Sequence, residues 1–232
     1  MTEIIPAILP RSYDELVRGL DIVAGHAPIV QIDICDGAYV PSRTWPYLKG
    51  ASGSTDQIFE SVVSQEAALP HWEDVDFEFD LMTRGAHEKI PDFISAGASR
   101  IVVHRASVDD AELASIVRDY GDLVEIGVAL MPSDDPATTA RSIADIISHI
   151  RFVQVMGIEK IGFQGQPWSP RSLDLVRALR AAYPDLVISV DGGETLEHAA
   201  LAVSAGANRL VVGSALFGSG DFLGTLEAFR AL

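Results

Sequence analysis

The most constraining feature of this chain is a rhythm. Short segments rich in Val and Ile, or bounded by turn residues, recur eight times, about 20 to 45 residues apart. Most stretches between them carry apolar residues at helical spacing. Strands are expected near Ile4–Leu9, Ile29–Ile34, Asp76–Leu81, Ser99–His104, Leu123–Leu130, Phe152–Met156, Leu186–Asp191 and Arg209–Val212. Helices are expected near Ser12–Ala24, Asp56–Leu69, Ala86–Ala96, Val108–Tyr120, Pro136–His149, Pro170–Tyr183, Glu194–Ala205 and Asp221–Ala231. Ser12, Ser107, Asp135 and Ser169 stand where N-caps belong, and Gly25, Gly97, Gly121 and Gly206 where helices should stop. Strands that alternate with helices make a parallel sheet, and eight such units in 232 residues match one (β/α)₈ TIM barrel, a single domain over 1–232. The irregular stretch Tyr39–Thr55, about 39–55, is too long for an ordinary βα loop and reads as a lid or as a plain insertion.

Composition narrows the function classes. No apolar run approaches the roughly 20 residues that span a bilayer, and the N-terminus has no basic region before an apolar stretch, so a soluble cytoplasmic protein without a membrane partner is expected. Cys35 is the only cysteine, which excludes an intrachain disulfide and a thiolate-rich metal site. A formal charge of −16 repels nucleic acid, whereas a small anion would need a local pocket of backbone N–H groups. A homo-oligomer is expected.

Side chains alternate across a strand, so each segment divides into a helix-facing and a barrel-facing set. In the second strand Ile32 and Ile34 oppose Gln31, Asp33 and Cys35; in the third, Phe77, Phe79 and Leu81 oppose Glu78, Asp80 and Met82. Gln154, Met156, Ser189 and Asp191 fall inward by the same rule. Buried carboxylates need a cation, a shared proton or close donors, and Asp33, Asp80 and Asp191 sit at strand C-termini, the face where barrel active sites are built. Asp36 in Asp36-Gly37 reads as a turn-fixing residue, and His104 as a buried, hydrogen-bonded histidine rather than a ligand.

The last three strands are each followed by glycines: Gly162 and Gly165 after the sixth, Gly192 and Gly193 after the seventh, Gly213 with Ser214 after the eighth. Glycine lets backbone N–H groups approach a phosphate, and the late loops of such barrels commonly build that site. Lys160 and Arg105 are the cations near enough in sequence to add charge.

These segments resemble the ribulose-phosphate 3-epimerase family over nearly the whole chain. The carriers are Ile5-Pro6-Ala7-Ile8-Leu9, Gln31-Ile32-Asp33-Ile34-Cys35-Asp36-Gly37, Phe79-Asp80-Leu81-Met82, Met156 with Gly162-Phe163-Gln164-Gly165-Gln166, Asp191-Gly192-Gly193 and Gly213-Ser214-Ala215. The resemblance implies a phosphate-binding barrel of the ribulose-phosphate-binding type and an epimerase acting on a phosphorylated ketose. Asp33 and Asp191 would be the acid/base pair on opposite faces of the sugar and would also hold a metal. Met156, Gly162, Gly165, Gly192, Gly193, Gly213 and Ser214 would contact substrate and phosphate.

The departures are specific. Gln31 and Asp80 replace the family's two metal-binding histidines, Ala7 a small hydroxyl residue, and Cys35 a methionine. A ligand set of Asp33, Asp80, Asp191 and Gln31 is all oxygen, suited to Mg, Mn or Ca more than to the Zn or iron favoured by mixed nitrogen and oxygen donors. The expected cofactor is a divalent metal: Mg, Mn or Zn. Without one, the three acids would share a proton. The alternatives are a non-catalytic phosphosugar-binding barrel that lost the family metal site, and a phosphate-barrel lyase or decarboxylase. The latter's Asp-x-Lys-x-x-Asp pattern is missing from the second and third strands.

Overall fold

In the computed structural model, residues 2–47 and 55–232 are described. Eight parallel strands close into a barrel in chain order: β1 (Glu3–Ile8), β2 (Ile29–Cys35), β3 (Asp76–Met82), β4 (Ala98–His104), β5 (Glu125–Leu130), β6 (Phe152–Met156), β7 (Val187–Asp191) and β8 (Arg209–Val212). β8 returns to β1 through the pairs Glu3 with Arg209 and Pro6 with Val212, so the sheet has no free edge. Around it lie α1 (Tyr13–Val23), α2 (Gln57–Val63), α3 (Ala86–Ser95), α4 (Asp110–Tyr120), α5 (Pro136–Ser142), α6 (Arg171–Ala182), α7 (Leu196–Ala205), the one-turn α8 (Ser214–Phe217) and α9 (Phe222–Arg230). Among the described residues no helix is long and apolar enough to cross a membrane.

Local chemistry accounts for most helix starts. Ser12 and Asp135 cap α1 and α5 by accepting from the N–H groups of Glu15 and Thr138. Two expected caps are corrected. Ser107 lies in a 3₁₀ turn where its hydroxyl donates to the His104 carbonyl, and Asp109 caps α4 instead. Ser169 donates to Glu159, and α6 begins from Pro170 without a side-chain cap. In both cases the helix begins further along the chain, at Asp110 and Arg171, so the serine is not the residue that flanks its first turn. α7 begins at Leu196, not Glu194, because Thr195 caps it by accepting from the His198 N–H. Two helices are shorter than their apolar spacing suggests. α2 stops at Val63 before Gln65, which has a φ of 62°, and residues 143–149 after α5 form successive tight turns. Gly25, Gly97 and Gly206 have positive φ at helix ends, while Gly121 ends α4 in a right-handed conformation.

The irregular 39–55 segment lies partly outside the described residues, at 48–54. Its first half is packed. Trp45 is fully buried between Tyr13 and Phe59, and Thr44 Oγ1 donates to the Asp33 carbonyl while accepting from the Cys35 N–H. The β2 end that carries Asp33 is thereby clamped.

Inside the barrel the alternation holds. Ile32, Ile34, Phe79, Leu81, Val153, Val155, Ile188 and Val190 pack outward under the helices. The inward set is polar where β2, β3, β6 and β7 converge. Deeper in the barrel, Glu78 and Arg209 form a wholly buried pair at 2.5 Å, with Arg100 3.9 Å from Glu78 and the Arg209 guanidinium over the Phe152 ring. Burial pushes the Glu78 carboxyl above its usual range even with Arg209 beside it. Removing one member of such a pair leaves a buried charge alone, so Arg209→Met should cost about 3–5 kcal/mol in urea unfolding, with much of the loss recovered in the double variant Glu78→Leu/Arg209→Met.

Candidate active site

Asp33 and Asp80, each two residues before the end of β2 and β3, meet Asp191, the last residue of β7, with one carboxylate oxygen from each within 4.8 Å of the others. Two amides tie them together. Gln31 Nε2 donates to Asp33 Oδ1 (2.9 Å) and Asp191 Oδ2 (3.2 Å), while Gln154 Nε2 donates to the same Asp191 oxygen (3.0 Å) and to Asp80 Oδ2 (3.1 Å). His104 Nε2 lies 2.8 Å from Asp80 Oδ1, so the histidine is a buried partner of the cluster, as expected. Asp36 likewise fills its expected turn role, accepting from the Ala38 and Tyr39 N–H groups and pairing with Lys89 at 2.6 Å.

The electrostatics follow from this crowding. Burial, and then the Asp80 charge, raise Asp33 well above the usual carboxylate range, with the Gln31 hydrogen bond opposing. Burial, then Asp33 and Asp80, do the same to Asp191. Asp33 and Asp191 are therefore biased toward sharing a proton when no cation balances the cluster. Its donor set also suits a hard divalent ion. Three carboxylates converge, and the Gln31 amide oxygen is buried without a partner; rotation of that amide would add a fourth oxygen ligand.

Above the trio opens a small cavity. Asp33, Asp191 and Met156 border it, as do all the expected glycines, Gly162, Gly165, Gly192, Gly193 and Gly213, together with Ser214. Gln31 and Asp80 do not border it, and they reach the carboxyl cluster from within the barrel. Gly192 and Gly193 have φ of 98° and 70°, and a Cβ on Gly192 would lie 2.9 Å from Ile158, so only glycine fits this turn without strain. Neither cation considered from sequence borders the cavity: Lys160 lies over the ring of Phe163, a lining residue, and Arg105 bonds Asp110 and the Val108 carbonyl. Among the described residues no Lys, Arg or His borders the cavity.

Sequence reasoning put Gln154 inside the barrel without giving it a role, and it took Glu194 for the start of a helix. Glu194 in fact borders the cavity at 6% exposure, with both carboxyl oxygens lacking a partner. Burial, and then the Asp191 charge, push it up to about 9. Its place directly after Asp-Gly-Gly was the available clue.

Acid–base groups at the C-terminal mouth of a closed barrel, beside a glycine-walled cavity, define an enzyme-type (β/α)₈ barrel. The model of the ribulose-phosphate 3 epimerase family matches residues 3–217, and the chain belongs to that family. A protein of Oryza sativa subsp. japonica named ribulose-phosphate 3-epimerase, cytoplasmic isoform, is 30% identical over 98% of this chain and 92% of its own length. A ribulose-phosphate 3-epimerase of Bacillus subtilis (strain 168) is 29% identical over 95% and 94%. The relatives so named are carbohydrate epimerases, which places the chain among the isomerases. Among solved structures, 3-keto-L-gulonate-6-phosphate decarboxylase from Vibrio cholerae aligns with a TM-score of 0.68 at 21% identity, covering 100% of this chain and 97% of that one, a likeness of fold.

A pH prediction follows from Glu194. Its folded value lies above the ordinary 4.5, so the fold favours the protonated form; stability is full below the ordinary value and falls as pH rises toward about 9. Asp33 and Asp191 shift in the same direction and add the same sign. Glu194→Gln should therefore raise the melting temperature more at pH 8 than at pH 5 in chelator-treated protein. An equal gain at both pH values would show that the carboxyl is already charged.

Proposed function

We propose that this protein epimerises a phosphorylated ketose at the carbon beside its carbonyl, with Asp33 and Asp191 exchanging the proton. The observation that carries the reading is that these two carboxyls, alone among the trio, border the cavity, and both are raised above the usual range. Epimerisation needs one carboxylate to take the carbon-bound proton and one carboxylic acid on the opposite face to return it. A cluster that keeps a proton supplies both forms at once. Gln31 and Gln154 bridge the acids and hold their oxygens in fixed orientations.

The intermediate enediolate carries negative charge, and its stabilisation is the largest electrostatic demand on the site. Asp33, Asp80, Asp191 and the Gln31 amide oxygen would hold a divalent cation, with Mg or Mn better matched than Zn to oxygen donors, and its charge would offset the enediolate. The backbone around Gly165, Gly192, Gly193 and Gly213, with Ser214, would receive the phosphate. The cytoplasmic isoform among the relatives supports a cytoplasmic location. A second reading, a phosphosugar-binding barrel without turnover, draws support from Gln31 and Asp80 standing where the family resemblance expects histidines.

Deuterium wash-in from heavy water separates the two. With a panel of pentulose and hexulose phosphates, the protein should exchange the carbon-bound proton, and Asp33→Asn or Asp191→Asn should slow exchange about 10²–10⁴-fold. Chelation should lower the rate and Mg or Mn should restore it. Ligand-induced stabilisation with no exchange under any metal condition would favour the binding barrel.

A further inference from the structure

Three acidic residues border the cavity, and the proton transfer proposed above uses only Asp33 and Asp191. Glu194 has no assigned task. It does not cap α7, because Thr195 does so, and neither of its oxygens meets a protein donor. The residue is buried, at 6% exposure. A buried carboxyl without a partner calls for an explanation, and in a cavity-lining residue a ligand entering the cavity can supply one. Glu194 follows directly on Gly192-Gly193 and borders the same cavity as Gly165, Gly213 and Ser214, the expected phosphate end.

A phosphate offers oxygens, and no Lys, Arg or His borders this cavity among the described residues. We propose that Glu194 is a specificity-determining residue of this site, its carboxyl O–H hydrogen-bonding a phosphate oxygen of the ketose in place of a cationic side chain. The proposal rests on the phosphoketose reading above. Burial, the larger cause, raises Glu194 to about 9 and so favours the protonated form, which is a donor. A bound phosphate dianion would hold that proton still more firmly, since a second negative charge opposes ionisation. A buried neutral acid can thus serve where a charge-neutralising side chain is missing.

The test uses the full chain and two probes, inorganic phosphate in calorimetry and a turned-over pentulose phosphate in steady-state kinetics. Glu194→Gln keeps a donor of the same shape; Glu194→Leu and Glu194→Ala remove it. Loss of one such hydrogen bond should weaken phosphate binding about tenfold in the Leu and Ala variants, while Gln stays within about threefold of the parent. KM should rise by the same factor with kcat nearly constant, a split that a purely structural role would not produce. Melting in phosphate-free buffer shows whether each variant is folded, and Ala stands in if Leu is not. Equal or tighter phosphate binding by the donorless variants overturns the proposal, as does a parent protein that fails to bind phosphate. If no ketose phosphate is turned over, the epimerase reading fails, yet the phosphate arm still decides the role of Glu194.

Discussion

Three acids packed within 4.8 Å at the mouth of a closed barrel are the constraint on which the rest of this site depends. Buried like charges cannot all persist without compensation. The surroundings answer with two bridging amides, a histidine on Asp80, and a raised, coupled Asp33 and Asp191 that favour a shared proton. The same crowding that makes the trio costly gives it acid–base capacity, because a retained proton is one that can be delivered. Its all-oxygen character shifts the choice of cation from one suited to imidazole toward a harder ion.

Polar groups fill this barrel at two depths for different reasons. The Glu78–Arg209 pair neutralises itself and serves the architecture. The aspartate cluster has only amide donors and a histidine, so its charge is left incompletely balanced at the face that opens to the cavity. The clamp from Thr44 to Asp33 and Cys35, and the burial of Trp45, fix the end of β2 where one of the reacting carboxyls sits. The cavity itself departs from an ordinary anion site, since an acid stands near the glycine turns and no cationic side chain lines it.

Much of this was legible in the residues. The eight-fold alternation announced the barrel, and the period-2 split of β2, β3, β6 and β7 correctly sent Gln31, Asp33, Asp80, Gln154 and Asp191 inward. Helix ends were less legible, because α4 and α6 begin after Asp109 and Pro170 and because α2 and α5 stop while their apolar spacing continues. Glu194 was read as helix because its neighbours favour one.

The sequence by itself determined the class of fold, the inward-facing acids and the glycine turns, since these depend on local periodicity and on the conformations single residues allow. Only the tertiary structure decided that Gln31 and Gln154 share one oxygen of Asp191, that neither Lys160 nor Arg105 lines the cavity, and that Glu194 is buried without a partner. Those facts join side chains from strands and loops far apart in the chain. Distances across a closed barrel are set by its register and curvature, which no local pattern of residues encodes.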